Sequence, residues 1–411
     1  MCNRQNSPPK LDGAMKTVKR TLLIIAMAAC FTTNVAPAQQ SASEVLDEIE
    51  AAQEQFNIEQ RDRLDKLRDL LSDLPAPDPA PKPDPAPTSG IWISPEEVAA
   101  LPAGPLWLNV LDYAERTGTP NVSNQNELVN VYAMAKALAY VRTGDERYRA
   151  EVIDLCSNVI DTEDDAGSGS KWLAPSRKIC GYVIAADLVG LPESVDVSFK
   201  DWLRTVRNRT LSGKTLISTH EGRANNWGTA AGATRLAIAL YLDEPDEVQR
   251  CAQVFRGWLG DRSSYAGFKY GELSWQADPS RPVGINPKGA MKEGRNIDGV
   301  LPDDLRRAGS FRWPPPKENY VYGALQGVVA QAIMLERAGY ADVWQWEDRA
   351  IERAFVWMHD IADYLAEDAG GDDTHMLPVI EAEYGLDYWD GAPSDPGKIV
   401  GFTGWTHGRS P

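Results

Sequence analysis

Histidine and cysteine are scarce in this sequence, whose 411 residues include four His and five Cys. No Cys-x-x-Cys or His-Glu-x-x-His pattern is present, so a zinc site of the usual kind is not expected. We therefore predict no metal ion and no other cofactor. Once an N-terminal leader is removed, Cys156, Cys180 and Cys251 remain, and these three can form one disulfide at most.

Positive charge is also in deficit. The 42 Lys and Arg residues face 59 Asp and Glu residues, which gives a net charge of −17 and a pI of about 4.8. A protein that binds nucleic acid through an overall basic surface is therefore excluded. Hydrophobic residues make up 43% of the chain, which is ample for a large core.

The N-terminal apolar run is too short to span a bilayer, but it has the form of a signal peptide. From Met15 the sequence MKTVKRTLLIIAMAACFTTNVAPAQQ gives a basic start, a short apolar core and an Ala-Pro-Ala cleavage pattern at 36–38. We predict that residues 1–38 are upstream residues and a signal peptide, and that the protein is exported to the periplasm or the medium. The alternative is an outer-membrane lipoprotein anchored at Cys30, since MAAC resembles a lipoprotein signal.

Two further segments precede the expected folded body. Residues 39–74 are charged with helical spacing, and either a solvated helix or a short coiled-coil stalk is consistent with them. In residues 75–90, prolines alternate with other residues from Pro75 to Pro87. This pattern is typical of a polyproline-II spacer, on the order of 40 Å long at about 3.1 Å per residue. The spacer predicts a domain boundary, so we expect the folded domain to be residues 91–411.

Strand patterns are sparse in that domain, and helical patterns follow one another with short connections. A ring or a solenoid of helical hairpins is consistent with such a series, and no fixed-period repeat is present. We predict an all-α fold, an α/α toroid formed as an incomplete barrel of helical hairpins. The irregular stretch from Asp261 to Lys317 is long for a loop inside a compact domain, which favours a functional role. The helical patterns lie at roughly 105–116, 124–142, 146–161, 176–189, 197–209, 227–242, 245–259, 319–339 and 344–365.

Polar residues cluster before one of these helices. The stretch HEGRANNW, at 220–227, precedes a helix of small and aliphatic residues that is typical of a buried position. Either Asn225 or Asn226 suffices as the N-cap of that helix. His220, Arg223, the second Asn and Trp227 exceed this need, so we treat them as candidates for catalysis or binding.

The long loop supplies cations and aromatic residues. Between Asn286 and Tyr320 seven Lys and Arg residues face five acids, a local excess of two positive charges. Either internal salt bridges tie this loop together, or Arg306 and Arg307 form a guanidinium pair for a substrate carboxylate or phosphate. Thirteen Trp against eight Phe is an unusual ratio, and each Trp either fills the core or stacks on a sugar. Within the loop we favour Trp275 and Trp313 as sugar-binding residues.

Two of these stretches resemble a known family. DGVLPDDLRR and then ENYVYGAL, within 298–325, resemble the motif of the alginate-lyase family of polysaccharide lyases: Asp-Gly-x-Leu-Pro, an acid or amide, an acid, Leu, a basic residue and Arg, followed by Tyr-x-x-x-Ala-Leu. NNW at 225–227 stands where that family has Asn-Asn-His. The resemblance covers roughly residues 91–407. Later segments, GYADVWQWEDRA and GDDTHMLP with PGKIVGFTGWTH, resemble broadly alginate-lyase-like members, some of which are similar to glucuronan lyases.

The resemblance implies roles for individual residues. Asn226 matches the Asn that neutralises the substrate carboxylate, Arg307 the catalytic Arg, and Tyr320 the Tyr that serves as base and acid. The family's His is Trp227 here, and the segment between Arg307 and Tyr320 is longer than in the family. Either His220 supplies the missing imidazole from the preceding loop, or the Tyr, Arg and Asn work without one. Trp227 is then a platform for a sugar or a core residue.

The expected function is that of an exported polysaccharide lyase acting on an anionic 4-linked polyuronate of the alginate or glucuronan type. Removal of H5, which is α to a carboxylate, requires groups that neutralise that carboxylate and stabilise the developing charge. One alternative is a glycoside hydrolase on a similar helical ring, for which Glu272, Asp298, Asp304 and Glu318 are available carboxyl groups. Another is a non-catalytic carbohydrate-binding surface protein.

Overall fold

The computed structural model describes residues 90–164 and 172–408. The predicted signal peptide, the charged segment and residues 75–89 of the proline-rich spacer lie outside the described residues. Helices dominate the described part, which confirms the all-α prediction. Strand structure there is confined to one small antiparallel hairpin, β1 (Met291–Lys292) and β2 (Arg295–Asn296).

The described α-helices begin and end as follows: α1 (Pro95–Ala100), α2 (Pro105–Ala114), α3 (Val129–Thr143), α4 (Glu146–Asn158), α5 (Leu173–Val189), α6 (Glu193–Val206), α7 (Leu216–Gly222), α8 (Asn226–Tyr241), α9 (Pro245–Leu259), α10 (Pro302–Leu305), α11 (Tyr320–Arg337), α12 (Trp346–Val356), α13 (Leu377–Tyr384) and α14 (Thr403–Thr406).

Helices α3, α5, α8 and α11 pack side by side in that order and form an inner row. Each is buried on almost all sides, because small and aliphatic residues occupy most of its faces. Glycines allow the closest approaches. A side chain at Gly327 of α11 would lie 2.4 Å from the backbone of Thr229 in α8, and one at Gly181 would lie 2.9 Å from the carbonyl oxygen of Asn130. The inner row therefore packs backbone against backbone.

Helices α4, α6, α9 and α12 form an outer row with one apolar and one charged face. Helix α4 packs on α3, α5 and α6, while α9 packs on α8 and α12. An inner row wrapped by an outer row of amphipathic helices, joined as successive hairpins, is the architecture predicted for an α/α toroid. Since the inner helices run in the same direction, the N-termini of α3, α5, α8 and α11 meet at one end of the domain, as the cleft described below shows.

Several helix boundaries follow local sequence signals. Ser94 and Glu97 form a capping box, with Pro95 in the first turn of α1. The segment Leu216–Gly222, which sequence analysis treated as loop, is helix α7, and its N-cap Thr215 forms a reciprocal pair of hydrogen bonds with Ser218. His220 therefore lies in a helix.

The three cysteines of the domain, Cys156, Cys180 and Cys251, are buried and free. Burial raises the pKa of each thiol, to about 12 for Cys180 and Cys251. In the part of the chain that the structure describes, no helix combines the length and apolar character needed to cross a bilayer.

Candidate active site

A cleft of about 630 Å³ opens at the N-terminal ends of the inner helices. Residues just before α3 and the first turns of α5, α8 and α11 line it. Further lining residues come from the long loop and from the segments around 369–373 and 398. The described residues that line it are Gln125, Asn126, Leu173, Arg177, Arg223, Asn225, Trp227, Arg306, Arg307, Asn319, Tyr320, Gly323, Ala369, Asp373 and Lys398.

The cleft is positively charged although the protein is strongly acidic. Among the described residues, its charged lining comprises five cations and one carboxyl group, Asp373, in a chain of net charge −17. The helix N-termini add the partial positive charge of their free N–H groups. An anionic ligand therefore fits this cleft.

The N-terminus of α8 is fixed by two adjacent carboxyl groups of α10. Asn225 is the N-cap: its Oδ1 accepts a hydrogen bond from the Trp227 N–H (3.2 Å), while its Nδ2 donates to Asp303 (3.0 Å). The backbone N–H of Asn226 donates to Oδ1 of Asp304 (3.0 Å). Burial raises the pKa of Asp304 well above its usual range. Because both asparagines are tied to α10, the start of α8 and the start of the Arg306–Arg307 segment are held together.

The side chain of Asn226 differs from that of Asn225. It is 1% exposed, and neither its Oδ1 nor its Nδ2 has a hydrogen-bond partner among the described residues. A Cβ placed on Gly323, which lines the cleft, would lie 3.8 Å from Nδ2 of Asn226. An unpartnered buried amide is costly. Asn226 itself is not among the described residues that line the cleft. Its amide lies beside the lining residue Gly323, and protein groups leave it unsatisfied.

Arg306 and Arg307 also differ from each other in their partners. Nε of Arg306 lies 2.7 Å from Asp303, a carboxylate that also accepts a hydrogen bond from the Gly271 N–H (2.7 Å). Within the described residues, Arg307 forms no ion pair within 4.0 Å. Its guanidinium carbon lies 4.3 Å from the ring centroid of Tyr320. Arg306 is thus largely neutralised by the fold, and the charge of Arg307 is directed at a tyrosine.

Tyr320 is the first residue of α11 and lines the cleft. It is 38% exposed, which is unusual for a large aromatic residue in this domain. Tyr322, two residues later, is instead fully buried, and its hydroxyl donates to the backbone oxygen of Tyr364. Of the two tyrosines that open α11, only Tyr320 can therefore reach a bound substrate.

A second group of polar residues lines the cleft that sequence analysis did not identify: Arg177, Asp373 and Lys398. Lys398 pairs with Asp372 at 2.7 Å, and the Gln326 Nε2 donates to Asp373 at 2.6 Å. Burial raises the pKa of Asp373 to about 6. A signal was available for Arg177, since Arg-Lys in the otherwise apolar helix α5 is exceptional.

His220 does not line the cleft. It is 3% exposed, and its Nδ1 lies 3.4 Å from a guanidinium nitrogen of Arg235. Because arginine only donates, Nδ1 acts as the acceptor. Burial and the neighbouring Arg235 lower the pKa of His220 well below its usual range, so the imidazole is neutral.

The two loop tryptophans also lie outside the cleft lining. Trp275 is completely buried and its indole N–H donates to the backbone oxygen of Gly309 (2.9 Å), so its faces are not available to a sugar. Trp313 is half-buried with Arg295 over its ring, 5.4 Å from the centroid. Trp227 does line the cleft, and Arg223 lies 5.5 Å from its ring centroid.

Among the described residues, no group of three or more His, Cys, Asp or Glu side chains is arranged to hold a metal ion.

Comparison with known proteins gives one family. The family model described as alginate lyase matches residues 69–274, about half of the chain. The matched segment includes helices α1 to α9 and the asparagine pair, and it ends before Arg307 and Tyr320. No curated protein matches the chain. The chain belongs to the alginate lyase family, and its activity is accordingly that of a polysaccharide lyase with an anionic polysaccharide as substrate.

Proposed function

We propose that the protein is an exported lyase that cleaves a 4-linked polyuronate of the alginate or glucuronan type by β-elimination, with Tyr320 as base and acid. The observation that carries this proposal is that two groups line one cleft and a third lies directly beside it. The two in the lining are an accessible phenol and a guanidinium 4.3 Å from its ring, and the third is the Asn226 amide, which has no protein partner and lies beside the lining residue Gly323.

Neutralisation of the substrate carboxylate is the first requirement. H5 of a uronate is weakly acidic while the adjacent carboxylate keeps its full charge, because the carbanion then forms beside an anion. In the proposed complex the Asn226 amide donates to this carboxylate, and Arg307 stabilises the charge that develops on it. Such preorganised donors are most effective where water is partly excluded. The buried position of Asn226 fulfils this condition.

Generation of the base is the second requirement. A phenol is protonated at neutral pH, and a nearby cation stabilises the phenolate form. Arg307 is the cation closest to the Tyr320 ring. With no carboxylate partner within 4.0 Å in the described structure, its charge remains available for this purpose.

The elimination then uses a single residue twice. The Tyr320 oxygen takes the proton from C5, the C4–C5 double bond forms, and the C4–O4 bond breaks. In mannuronate and glucuronate, H5 and O4 lie on the same face of the ring. The newly protonated Tyr320 can therefore return the proton to the departing O4 oxygen.

We assign no proton transfer to an imidazole. His220 lies behind the cleft wall and is neutral, so the proposal takes the alternative in which Tyr320, Arg307 and Asn226 act without it. Trp227 replaces the family's His at the cleft, where its ring provides a surface for a sugar. Arg223 and Asn225 border that surface.

A hydrolase is less well supported. Hydrolysis requires two carboxyl groups across the scissile bond, and Asp373 is the one carboxyl group among the described lining residues. Glu272, Asp298, Asp304 and Glu318, the carboxyl groups considered from the sequence, are not part of that lining.

Replacement of Tyr320 by Phe tests the assignment. Tyr320→Phe removes only the hydroxyl, so we expect turnover to fall by at least 10²-fold, as for loss of a general acid–base group. Binding of the polyuronate should change by less than about tenfold. The measurements are the rate of ultraviolet-absorbing product formation and calorimetric binding.

Tyr322→Phe is the matched control, because it removes a hydroxyl from the same turn of α11 outside the cleft. It should keep its turnover at a temperature well below its melting point. Near-normal turnover by Tyr320→Phe would refute the proposed mechanism.

A further inference from the structure

Arg177 and Lys398 lie together on a part of the cleft wall that the proposed elimination does not use. The backbone carbonyl groups of both residues contact the same buried side-chain amide, that of Asn130. Nδ2 of Asn130 contacts the carbonyl oxygens of Arg177 (3.5 Å) and Lys398 (3.2 Å). Both cations also act electrostatically on the same carboxyl group, Asp373, and both line the cleft. We define Arg177 and Lys398 as the second cationic pair.

The fold does not fully neutralise this pair. Lys398 has a partner, Asp372, at 2.7 Å. Arg177 is half-buried, and its guanidinium makes no ion pair within 4.0 Å in the described part of the chain. The Asp373 carboxyl group accepts instead from Gln326. A guanidinium that is partly desolvated, lacks a direct ion-pair partner and faces a cleft has donors free for an anion.

The second cationic pair is separate from the groups assigned to the reacting sugar. Arg307 lies against the Tyr320 ring, and Arg306 is bound to Asp303. Arg177 is held by α5 and interacts with Tyr320 only through longer-range electrostatics. A polyuronate carries a carboxylate on every sugar, so a chain that places one carboxylate beside Asn226 brings others along the cleft.

We propose that Arg177, assisted by Lys398, binds the carboxylate of a uronate beyond the two that the scissile bond joins, and that Asp373 opposes this binding when ionised. This inference rests on the proposed function, since it assumes a polyuronate in the cleft. It makes the enzyme selective for polymers with consecutive uronates. Among the described residues, the groups that interact with Asp373 are Arg177, Lys398, Asp372, Gln326, Tyr322 and Tyr364.

The test uses alginate and glucuronan oligomers of increasing length with the full chain. For Arg177→Gln we expect KM to rise about tenfold, which corresponds to about 1.4 kcal/mol, with oligomers long enough to reach the pair. With the shortest oligomer that is cleaved, kcat and KM should be unchanged. Asp373→Asn should have the opposite effect and lower KM for the long oligomers, chiefly above pH 6, where the wild-type carboxyl group is ionised.

Arg204→Gln is the matched control, because Arg204 lies on the exposed face of α6 and pairs with Asp201. It should leave KM unchanged at every length.

If Arg177→Gln does not fold, Lys398→Gln and Asp373→Asn carry the same test. An equal loss at all lengths, or a change in kcat with the shortest oligomer, would overturn the inference while the lyase assignment stands. If the wild-type chain cleaves no polyuronate, the proposed function fails. Calorimetric binding of the same oligomers then tests Arg177 alone, and an affinity independent of Arg177 overturns the inference.

Discussion

Asn226 and Arg307 each follow a neighbour of the same type that is committed to the fold. Asn225 caps α8 and binds Asp303, and Arg306 pairs with that same carboxylate. The amide of Asn226 and the guanidinium of Arg307 are left without hydrogen-bonding or ion-pair partners in the described structure. In each pair, one residue therefore builds the site, and the proposed function assigns the other to the ligand.

Replacement of His220 should have little effect on catalysis. His220→Gln should retain kcat within about threefold and leave the acid limb of the pH–rate profile in place, because the imidazole is buried and neutral. The folded-state pKa is lowered, so the unfolded chain binds the extra proton and wild-type stability falls as the pH drops below about 6.5. The variant should lose less stability than wild type between pH 7 and pH 5, measured by urea unfolding. A severe fall in kcat with a displaced acid limb would instead make His220 the missing catalytic imidazole.

Sequence alone could select these residue pairs but could not divide their roles. The Asn pair and the Arg pair stand out by type and spacing. Asp303 separates the roles within each pair, because it binds Asn225 and Arg306. It lies 78 positions after Asn225 and contacts it only in the folded chain. Lys398 was missed for the same reason, since its contact Asn130 is distant from it in sequence.

At the scale of the element, the short helix α10 connects the two halves of the site. Asp303 receives hydrogen bonds from the cap of α8, from Gly271 of the long loop and from Arg306. Asp303 is 3% exposed, so water could not take its place as the acceptor for these donors. Helix α10 therefore joins the inner helix α8 to the long loop.

Asp303→Ala should therefore both destabilise the protein and impair catalysis. We expect a loss of about 1–3 kcal/mol in the free energy of unfolding, since several buried donors lose their acceptor. A fall in kcat should accompany it, because Arg307 is no longer positioned. Asp201→Ala is a suitable control, as Asp201 is exposed in α6 and its loss should change stability by less than about 0.5 kcal/mol. Urea unfolding and steady-state kinetics would measure both. Unchanged kinetics in Asp303→Ala would show that α10 does not position the site.

The elements themselves were largely predictable. Apolar periodicity located α8, α9 and α11 to within a few residues, because these helices are long and their packing follows the pattern. The pattern at 124–142 began too early, since α3 starts at Val129. Short elements such as α7 and α13 were missed because their form depends on capping and on contacts with the rest of the domain.

At the scale of the whole molecule, the positions of the charges say more about the ligand than the net charge does. A net charge of −17 argues against polyanion binding if it is taken as uniform. In the described part of the chain, the fold instead gathers five cations around one cleft. Composition could not reveal this, because Arg177, Arg223, Arg307 and Lys398 come from distant parts of the chain. Export and the spacer at 75–90 remain predictions from the sequence.

The most direct test of the central claim is the product formed from polyuronates. The wild-type protein should be incubated with alginate blocks, glucuronan and glycosaminoglycans while ultraviolet absorbance and reducing ends are followed together. We expect at least one polyuronate to yield both signals in equal molar amounts, because each β-elimination creates one C4–C5 double bond and one reducing end. Reducing ends without ultraviolet absorbance would identify a hydrolase, and binding without either signal would identify a carbohydrate-binding protein. Either result would contradict the assignment of Tyr320 as the base and acid of a lyase.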